Sequence, residues 1–184
     1  MPWSSKDFDP PMLSAALKQA ANFSQSQEPK AEAKDISEYS GRMQALGLEK
    51  MGQPCWVSVV NLYLNQGDLE RHKAKGALVL YLETEDAGKI FQSAGLEFPS
   101  DEDDASMIAA SGQLAQKVAE AFKNELAGHG YVSLVLSTPA TYKNNAVGGV
   151  EYSSDQKTKH ELSFFYLKSK VICIDLTLAP IPKK

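Results

Sequence analysis

Apolar residues recur along the chain with two different spacings, which separate predicted helices from predicted strands. After Pro10 and Pro11 the apolar positions lie three and four apart, which predicts a helix over about residues 11–23. Residues 24–34 are polar and include no large apolar side chain, which predicts a loop or mobile connector. A longer amphipathic pattern follows an acidic, proline-bearing loop and predicts a long helix over about residues 104–127.

Runs rich in β-branched and aromatic residues predict the strands. Residues 55–64 and 77–83 are two such runs joined by a polar turn, which predicts a wide hairpin. Residues 35–52 are ambiguous between a short helix and a strand, and an irregular strand is favoured because of their glycines. Three or four antiparallel strands are predicted after the long helix, over the apolar or alternating runs 131–142, 146–154, 161–168 and 171–179.

One shorter helix is predicted between the hairpin and the long helix. Thr84 is a suitable N-cap, and the acidic residues that follow it favour the positive end of a helix. We expect this helix to end near Gly95. Because helices and strands come in groups and do not alternate, the sequence predicts an α+β fold. The expected architecture is a single antiparallel sheet with a long central helix, and further helices packed on one face.

The expected domain organisation is simple. At 184 residues the chain is long enough for one α+β domain, which we place over residues 35–184. Residues 1–34 would form the N-terminal helix and its polar connector. The 19 basic residues are outnumbered by 23 acidic ones and are scattered, which argues against nucleic-acid binding. No apolar run approaches the roughly 20 residues of a membrane helix, and no signal peptide is visible, so a cytoplasmic location is predicted.

Neither a metal nor another cofactor is expected. His72, His129 and His160 are scattered beside polar turns, whereas a metal site needs several converging ligands. The acidic run 101–104 lacks the spacing of a calcium-binding loop, and its position before a helix explains it. The two cysteines lie in apolar, strand-like runs, where a free thiol behaves as a small apolar side chain.

The predicted long helix has an apolar side and a polar side. At about 100° per residue, these residues lie within about 80° of Leu114 and are mostly apolar: Met107, Ser111, Val118, Ala121, Phe122 and Glu125. The other side carries Gln113, Gln116, Lys117, Glu120, Lys123 and Asn124. Because exposed helix faces are usually polar, one interpretation of Gln113 and Gln116 is an ordinary hydrated surface.

Three segments in order resemble the CheC/CheX-like superfamily of chemotaxis phosphatase domains. "KGALVLYLETEDAGKIF" is similar to the glycine, apolar strand and helix start of that family. "DDASMIAASGQLAQKVAEAF" is similar to the long helix that carries the family's E-x-x-N motif, and "ELAGHGYVSLVLSTPATY" resembles the strand that follows. The resemblance covers roughly the C-terminal two-thirds of the chain. It implies the family's α+β fold.

The resemblance implies a site on the long helix. In the family, the Asn orients the water that attacks a receiver's aspartyl phosphate, and the Glu pairs with a receiver lysine; the magnesium ion belongs to the receiver. Gln113 falls at the Glu position and Gln116 at the Asn position, so neither family residue is kept. Gln116 retains an amide that can hold a water, but its extra methylene moves that amide by about 1 Å, which can cost about a hundredfold in rate. Gln113 cannot form the charge-assisted contact that a lysine favours.

Two functions from different classes follow from this comparison. The first is a CheX-like signalling domain that binds a partner such as a response-regulator receiver, with its phosphatase activity lost or reduced. The alternative is an active phosphatase for receiver phospho-aspartate in which Gln116 positions the water. Lys117 and Glu120 lie on the same side of the helix and are predicted to bind the partner. A homodimer is also expected, through a sheet edge formed by the apolar C-terminal strands.

Overall fold

The structure is a computed structural model. It describes residues 30–36, 38–39, 42–85, 87–96, 104–143, 146–153, 156–166 and 169–179. The helix predicted over residues 11–23 therefore lies outside the described residues, and the division of the chain at residue 34 stays a prediction. No helix in the described ranges is both long enough and apolar enough to cross a membrane.

Ten strands are present among the described residues, and every pair of neighbouring strands is antiparallel. They are β1 (Lys30–Asp35), β2 (Glu38–Tyr39), β3 (Arg42–Leu46), β4 (Cys55–Tyr63), β5 (Gly76–Glu83), β6 (Val135–Leu136), β7 (Ala140–Lys143), β8 (Ala146–Val150), β9 (Thr158–Tyr166) and β10 (Ser169–Leu178). Seven of them form one sheet in the order β1-β9-β10-β5-β4-β6, with β7 also paired to β4. The predicted hairpin is confirmed, since Val59 of β4 pairs with Val79 of β5.

The single sheet expected from the sequence is wrong, because β2, β3 and β8 form a second, three-stranded sheet. The large sheet has apolar side chains on both faces, so other elements must pack against each face to bury them. Trp56 and Val60 of β4 belong to the core on the helix side, whereas Val57 and Val59 belong to a second core. Met43 of β3 belongs to that second core. The small sheet thus contributes to the core on the side of β4 opposite the long helix.

Four helices occur in the described ranges: α1 (Gly47–Met51), α2 (Gln66–Glu70), α3 (Ala87–Ser93) and α4 (Asp104–Ala127). The bounds predicted for the long helix are confirmed by α4. The predicted end of the shorter helix is confirmed at Gly95, whose φ of 74° falls in the left-handed region that glycine tolerates best. The polar turn between β4 and β5 contains α2, which begins where the Asn65 side chain accepts a hydrogen bond from the Asp68 N–H at 2.9 Å.

Two local predictions fail for reasons of tertiary pairing. Residues 30–34, predicted to be part of a polar connector, belong to β1, which pairs with β9 at the edge of the large sheet. The C-terminal strand β10 does not form an edge, because it lies between β9 and β5. The outer strands of the large sheet are β1 and the β6–β7 side, and among the strands after the long helix β8 is an edge strand of the small sheet. The homodimer stays a prediction.

Candidate functional site

The polar side of α4 faces solvent, as the residue pattern predicts. Leu114 and Val118 are fully buried in the core shared with the large sheet. Gln113, which directly precedes Leu114, and Gln116, which lies between Leu114 and Val118, are both exposed. The two carboxamides therefore emerge from the outer surface of a helix whose opposite side is fixed by packing.

A shallow cleft lies between this part of α4 and strand β7. It measures about 250 Å³ and is lined by Ile108, Ala109, Gly112, Gln113, Gln116, Pro139 and Thr141. Gly112 lets the helix approach the strand, since a Cβ at that position would lie 3.2 Å from Thr141 Oγ1. The Thr141 hydroxyl in turn lies 2.9 Å from Ser58 Oγ of β4. The position of the carboxamides relative to β7 thus depends on a small residue in the helix.

Glu120 lies close to Gln116, one turn further along α4. Gln116 Nε2 donates a hydrogen bond to Glu120 Oε1 at 3.1 Å. This bond uses one amide N–H, and it leaves the carbonyl oxygen and the second N–H of Gln116 available for another group. A carboxamide does not ionise or attack covalently, so its chemical contribution is to hold and orient a water or a polar partner.

Lys117, which was predicted to bind a partner, contacts another helix of the same chain. Its ammonium donates a hydrogen bond to the Ala94 carbonyl oxygen at 3.0 Å, just beyond the last residue of α3. The carbonyl end of a helix carries a partial negative charge, so a lysine is favourable there. Lys117 therefore links α4 to α3, whereas Glu120 contacts one of the two glutamines.

The histidines and cysteines are distributed as follows. Among the described residues, no group of three or more His, Cys, Asp or Glu side chains could hold a metal ion. His72 and His129 are exposed, whereas His160, predicted in or beside a polar turn, lies near the start of β9 and is half-buried. Cys55 and Cys173 are buried and are not joined in a disulfide, and burial raises the pKa of their thiols to about 11 and about 12. Neither thiol is a reactive nucleophile near neutral pH.

A buried charged cluster on the second face of the large sheet was not predicted from the sequence. Asp175 of β10 is fully buried and accepts hydrogen bonds from Lys50, Lys159 and the Tyr81 hydroxyl, each at 3.0 Å. Lys50 also donates to Glu161. The available signal was an acidic residue inside an apolar strand, as in "VICIDL" and "HELSFF". A carboxylate in such a run requires a cationic partner from elsewhere in the chain.

Opposing effects set the pKa values in this cluster. Burial acts to raise the pKa of Glu161, but hydrogen bonds and charge from Lys50 and Lys34 outweigh it, so the pKa is lowered from its ordinary value of 4.5. Burial acts to lower the pKa of Lys50, but Asp175 and Glu161 outweigh it and raise the pKa well above its ordinary value. The shifts of Glu161 and Lys50 therefore both favour the charged form near neutral pH.

No protein-family model matches the chain, and no curated protein matches it either. Several solved structures match the chain. The chemotaxis protein CheX from Vibrio vulnificus superposes with a TM-score of 0.57 at 13% identity, over 90% of this chain and 95% of that chain. A CheC-like superfamily protein from Shewanella sp. PV-4 gives 0.56 at 21% identity, over 91% of this chain and 93% of that one.

A third similar structure is a complex. In the CheX–CheY–BeF3–Mg²⁺ complex from Borrelia burgdorferi, the matched chain gives a TM-score of 0.53 at 14% identity, over 91% of this chain and 93% of that one. At such low identities the likeness concerns the fold. The chain has the fold of CheX and CheC-like proteins over nearly its whole length.

Proposed function

We propose that this chain is a CheX-like chemotaxis signalling domain that binds a response-regulator receiver through the exposed side of α4, with phosphatase activity lost or reduced. The observation that carries the proposal is the exposure of Gln113 and Gln116 beside β7, on a helix whose other side is buried. The similar CheX fold in a structure with CheY supports a receiver as the partner. The cytoplasmic location stays a prediction.

The chemistry of the two glutamines supports reduced catalysis. Gln113 offers a neutral amide where the resembling family has a carboxylate, so a receiver lysine would lose a charge-assisted contact. Gln116 already donates one N–H to Glu120 at 3.1 Å, which draws its amide along the helix axis. An attacking water held by Gln116 would then lie away from the position set by a shorter side chain. Displacement by about 1 Å is enough to lower a rate about a hundredfold.

An active phosphatase is the second candidate function. The observation that favours it is the same hydrogen bond, because a glutamine held by Glu120 has its carbonyl oxygen oriented rather than freely rotating. A glutamine orients the attacking water in several GTPases, so the residue type is chemically competent. In this reading Glu120 supplies the negative charge that Gln113 lacks.

A second copy of the chain is a further candidate partner. Since β10 is interior, pairing between copies through the large sheet would use β1 or the β6–β7 side, and pairing through the small sheet would use β2 or β8. β1 exposes Lys30, Glu32 and Lys34 in alternation, a pattern that disfavours edge-to-edge pairing. A homodimer through the β6–β7 side would compete with the receiver for the surface next to Gln113.

The experiment measures receiver binding and receiver dephosphorylation separately. Receivers of the source organism, activated with beryllofluoride and Mg²⁺, are tested for binding by calorimetry, and their phosphorylated forms are followed for decay. We expect binding that Gln113→Lys weakens at least about tenfold, because the lysine repels a receiver lysine. Asn124 is exposed on the same helix, further along the chain than Gln113, Gln116 and Glu120. Asn124→Lys therefore serves as the matched control.

The outcomes distinguish the candidate functions. Binding with unchanged phosphate decay supports the signalling domain. Faster decay that Gln116→Ala abolishes establishes the phosphatase. If no receiver binds, or if Asn124→Lys weakens binding as much as Gln113→Lys, the proposed use of this surface is wrong.

A further inference from the structure

A second, larger cleft lies at the beginning of α4, between that helix, α3 and the neighbouring ends of β4 and β7. Its volume is about 710 Å³, and it shares no lining residue with the cleft at Gln113 and Gln116. Volumes of about 300–1,000 Å³ are typical of sites for small molecules. The cleft is therefore large enough for a ligand of its own.

The inner wall of the cleft is apolar and aromatic. Trp56 of β4 and Met107 of α4 both line it, and both are more than nine-tenths buried. The Trp56 indole N–H finds no hydrogen-bond acceptor within the described part of the chain. A buried indole N–H usually has an acceptor. The apolar and aromatic lining of this wall favours an apolar group.

The rim of the cleft carries charges of both signs. Lys143 Nζ and Asp104 Oδ1 form an ion pair at 3.0 Å, with 43% and 62% of the two side chains exposed. The Lys143 ammonium also lies 5.4 Å from the centre of the Trp56 ring, so it covers part of the aromatic surface. Glu85 and Lys89 also line the cleft, which adds a second acidic and a second basic side chain. The rim is thus complementary to a molecule that has a positive and a negative group close together.

The Lys143–Asp104 pair can exchange partners at low cost. Ion pairs that are largely exposed contribute little to stability, because water screens them and both side chains lose freedom. A ligand carboxylate could therefore take over Lys143 while a ligand ammonium takes over Asp104. Movement of Lys143 towards the ligand would uncover the Trp56 ring for the apolar part of the molecule.

We propose that this cleft binds a free α-amino acid with an apolar side chain. The α-carboxylate pairs with Lys143, the α-ammonium pairs with Asp104, and the side chain packs against Trp56 and Met107. No chemical step is involved, and the site does not depend on the receiver-binding function proposed above. A simple apolar acid would satisfy only Lys143, and a simple amine only Asp104.

The test uses Trp56 as the reporter. The chain has two tryptophans, so Trp3→Phe leaves Trp56 as the only indole. This protein is titrated with L-phenylalanine, L-leucine and L-methionine, with fluorescence and thermal unfolding as parallel readouts. We expect saturable binding with a Kd of about 1 mM or lower. We expect 3-phenylpropionate, which lacks the ammonium, and phenethylamine, which lacks the carboxylate, to bind at least about tenfold more weakly.

Variants inside and outside the cleft test whether the amino acid binds there. Lys143→Gln and Asp104→Asn change exposed residues, and each should weaken amino-acid binding at least about tenfold. Lys73→Gln, an exposed lysine far along the chain in the β4–β5 connection, and Gln116→Ala should leave it unchanged. Absence of saturation with every amino acid would overturn the proposal, and so would equal binding of 3-phenylpropionate. Both results come from the unsubstituted cleft and do not depend on whether the variants fold.

Discussion

Gly112 of α4 and Thr141 of β7 are in close contact, since a Cβ placed on Gly112 would lie 3.2 Å from Thr141 Oγ1. The contact lies directly beside Gln113. The Thr141 hydroxyl also lies 2.9 Å from the hydroxyl of Ser58 on β4. A displacement of β7 away from α4 would disturb this contact. A glycine in the middle of a helix lowers helix stability. Here its small size sets the distance between the candidate surface and the neighbouring strand.

Gly112→Val is therefore predicted to destabilise the protein. Helix propensity alone favours valine over glycine, whereas overpacking against Thr141 should cost about 1–3 kcal/mol of the free energy of unfolding. Urea denaturation measures the resulting change in the free energy of unfolding. Asn124→Val places the same side chain at an exposed position of α4 and should change stability little. Equal stability of Gly112→Val and the parent protein would show that α4 and β7 do not restrict each other.

Restoring the motif of the resembling family should restore catalysis. We expect the double variant Gln113→Glu with Gln116→Asn to dephosphorylate a bound receiver at least about tenfold faster than the parent chain, because it returns the charge and shortens the amide-bearing side chain. The rate of phosphate loss from the receiver is the measurement. The control is the pair Gln113→Ala with Gln116→Ala, which should be no faster than the parent. A double variant that binds the receiver without acceleration would argue against any phosphatase ancestry of this surface.

Asp175 is predicted to contribute strongly to stability. It is fully buried and accepts from Lys50, Lys159 and Tyr81. Asp175→Asn removes the charge that two lysines require, and breaking a buried ion pair typically costs about 3–5 kcal/mol of the free energy of unfolding. Thr177→Val on the same strand is the control, because this buried hydroxyl has no partner among the described residues. Similar losses for both variants would mean that the cost comes from packing, not from charge.

Glu161 should make the stability depend on pH in the acid range. Its folded-state pKa is lowered from 4.5 because Lys50 and Lys34 outweigh the effect of burial. A lowered carboxyl pKa contributes stability that is fully present above about pH 4.5 and is lost as the pH falls through the folded-state value. The free energy of unfolding, measured by denaturant between neutral and acidic pH, should therefore decrease on acidification.

The variant Glu161→Gln should be less stable at neutral pH and show a shallower decrease on acidification. Glu125→Gln, at an exposed position of α4, should keep the slope of the parent protein. If Glu161→Gln keeps that slope as well, the charged cluster is not the source of the acid sensitivity.

Local patterns in the sequence were sufficient for the elements that carry the candidate site. The spacing of Leu114 and Val118 predicts both the extent of α4 and the exposure of Gln113, because helix periodicity alone decides which side is apolar. The β4–β5 hairpin was predicted for a similar reason: both strands are continuous apolar runs joined by polar residues. The exposure of the two glutamines was thus predictable, whereas their function stays a proposal.

The sequence by itself determined α4, the hairpin and the polar face with its two carboxamides, because these depend on residues a few positions apart. The tertiary structure alone decided the second sheet, the strand β1 within an apparently polar connector, and the interior position of β10. It also decided the neighbours of Asp175, which lie from 16 to 125 residues away along the chain. Pairing over such distances depends on which faces must be covered together, and the local pattern of one segment does not contain that information.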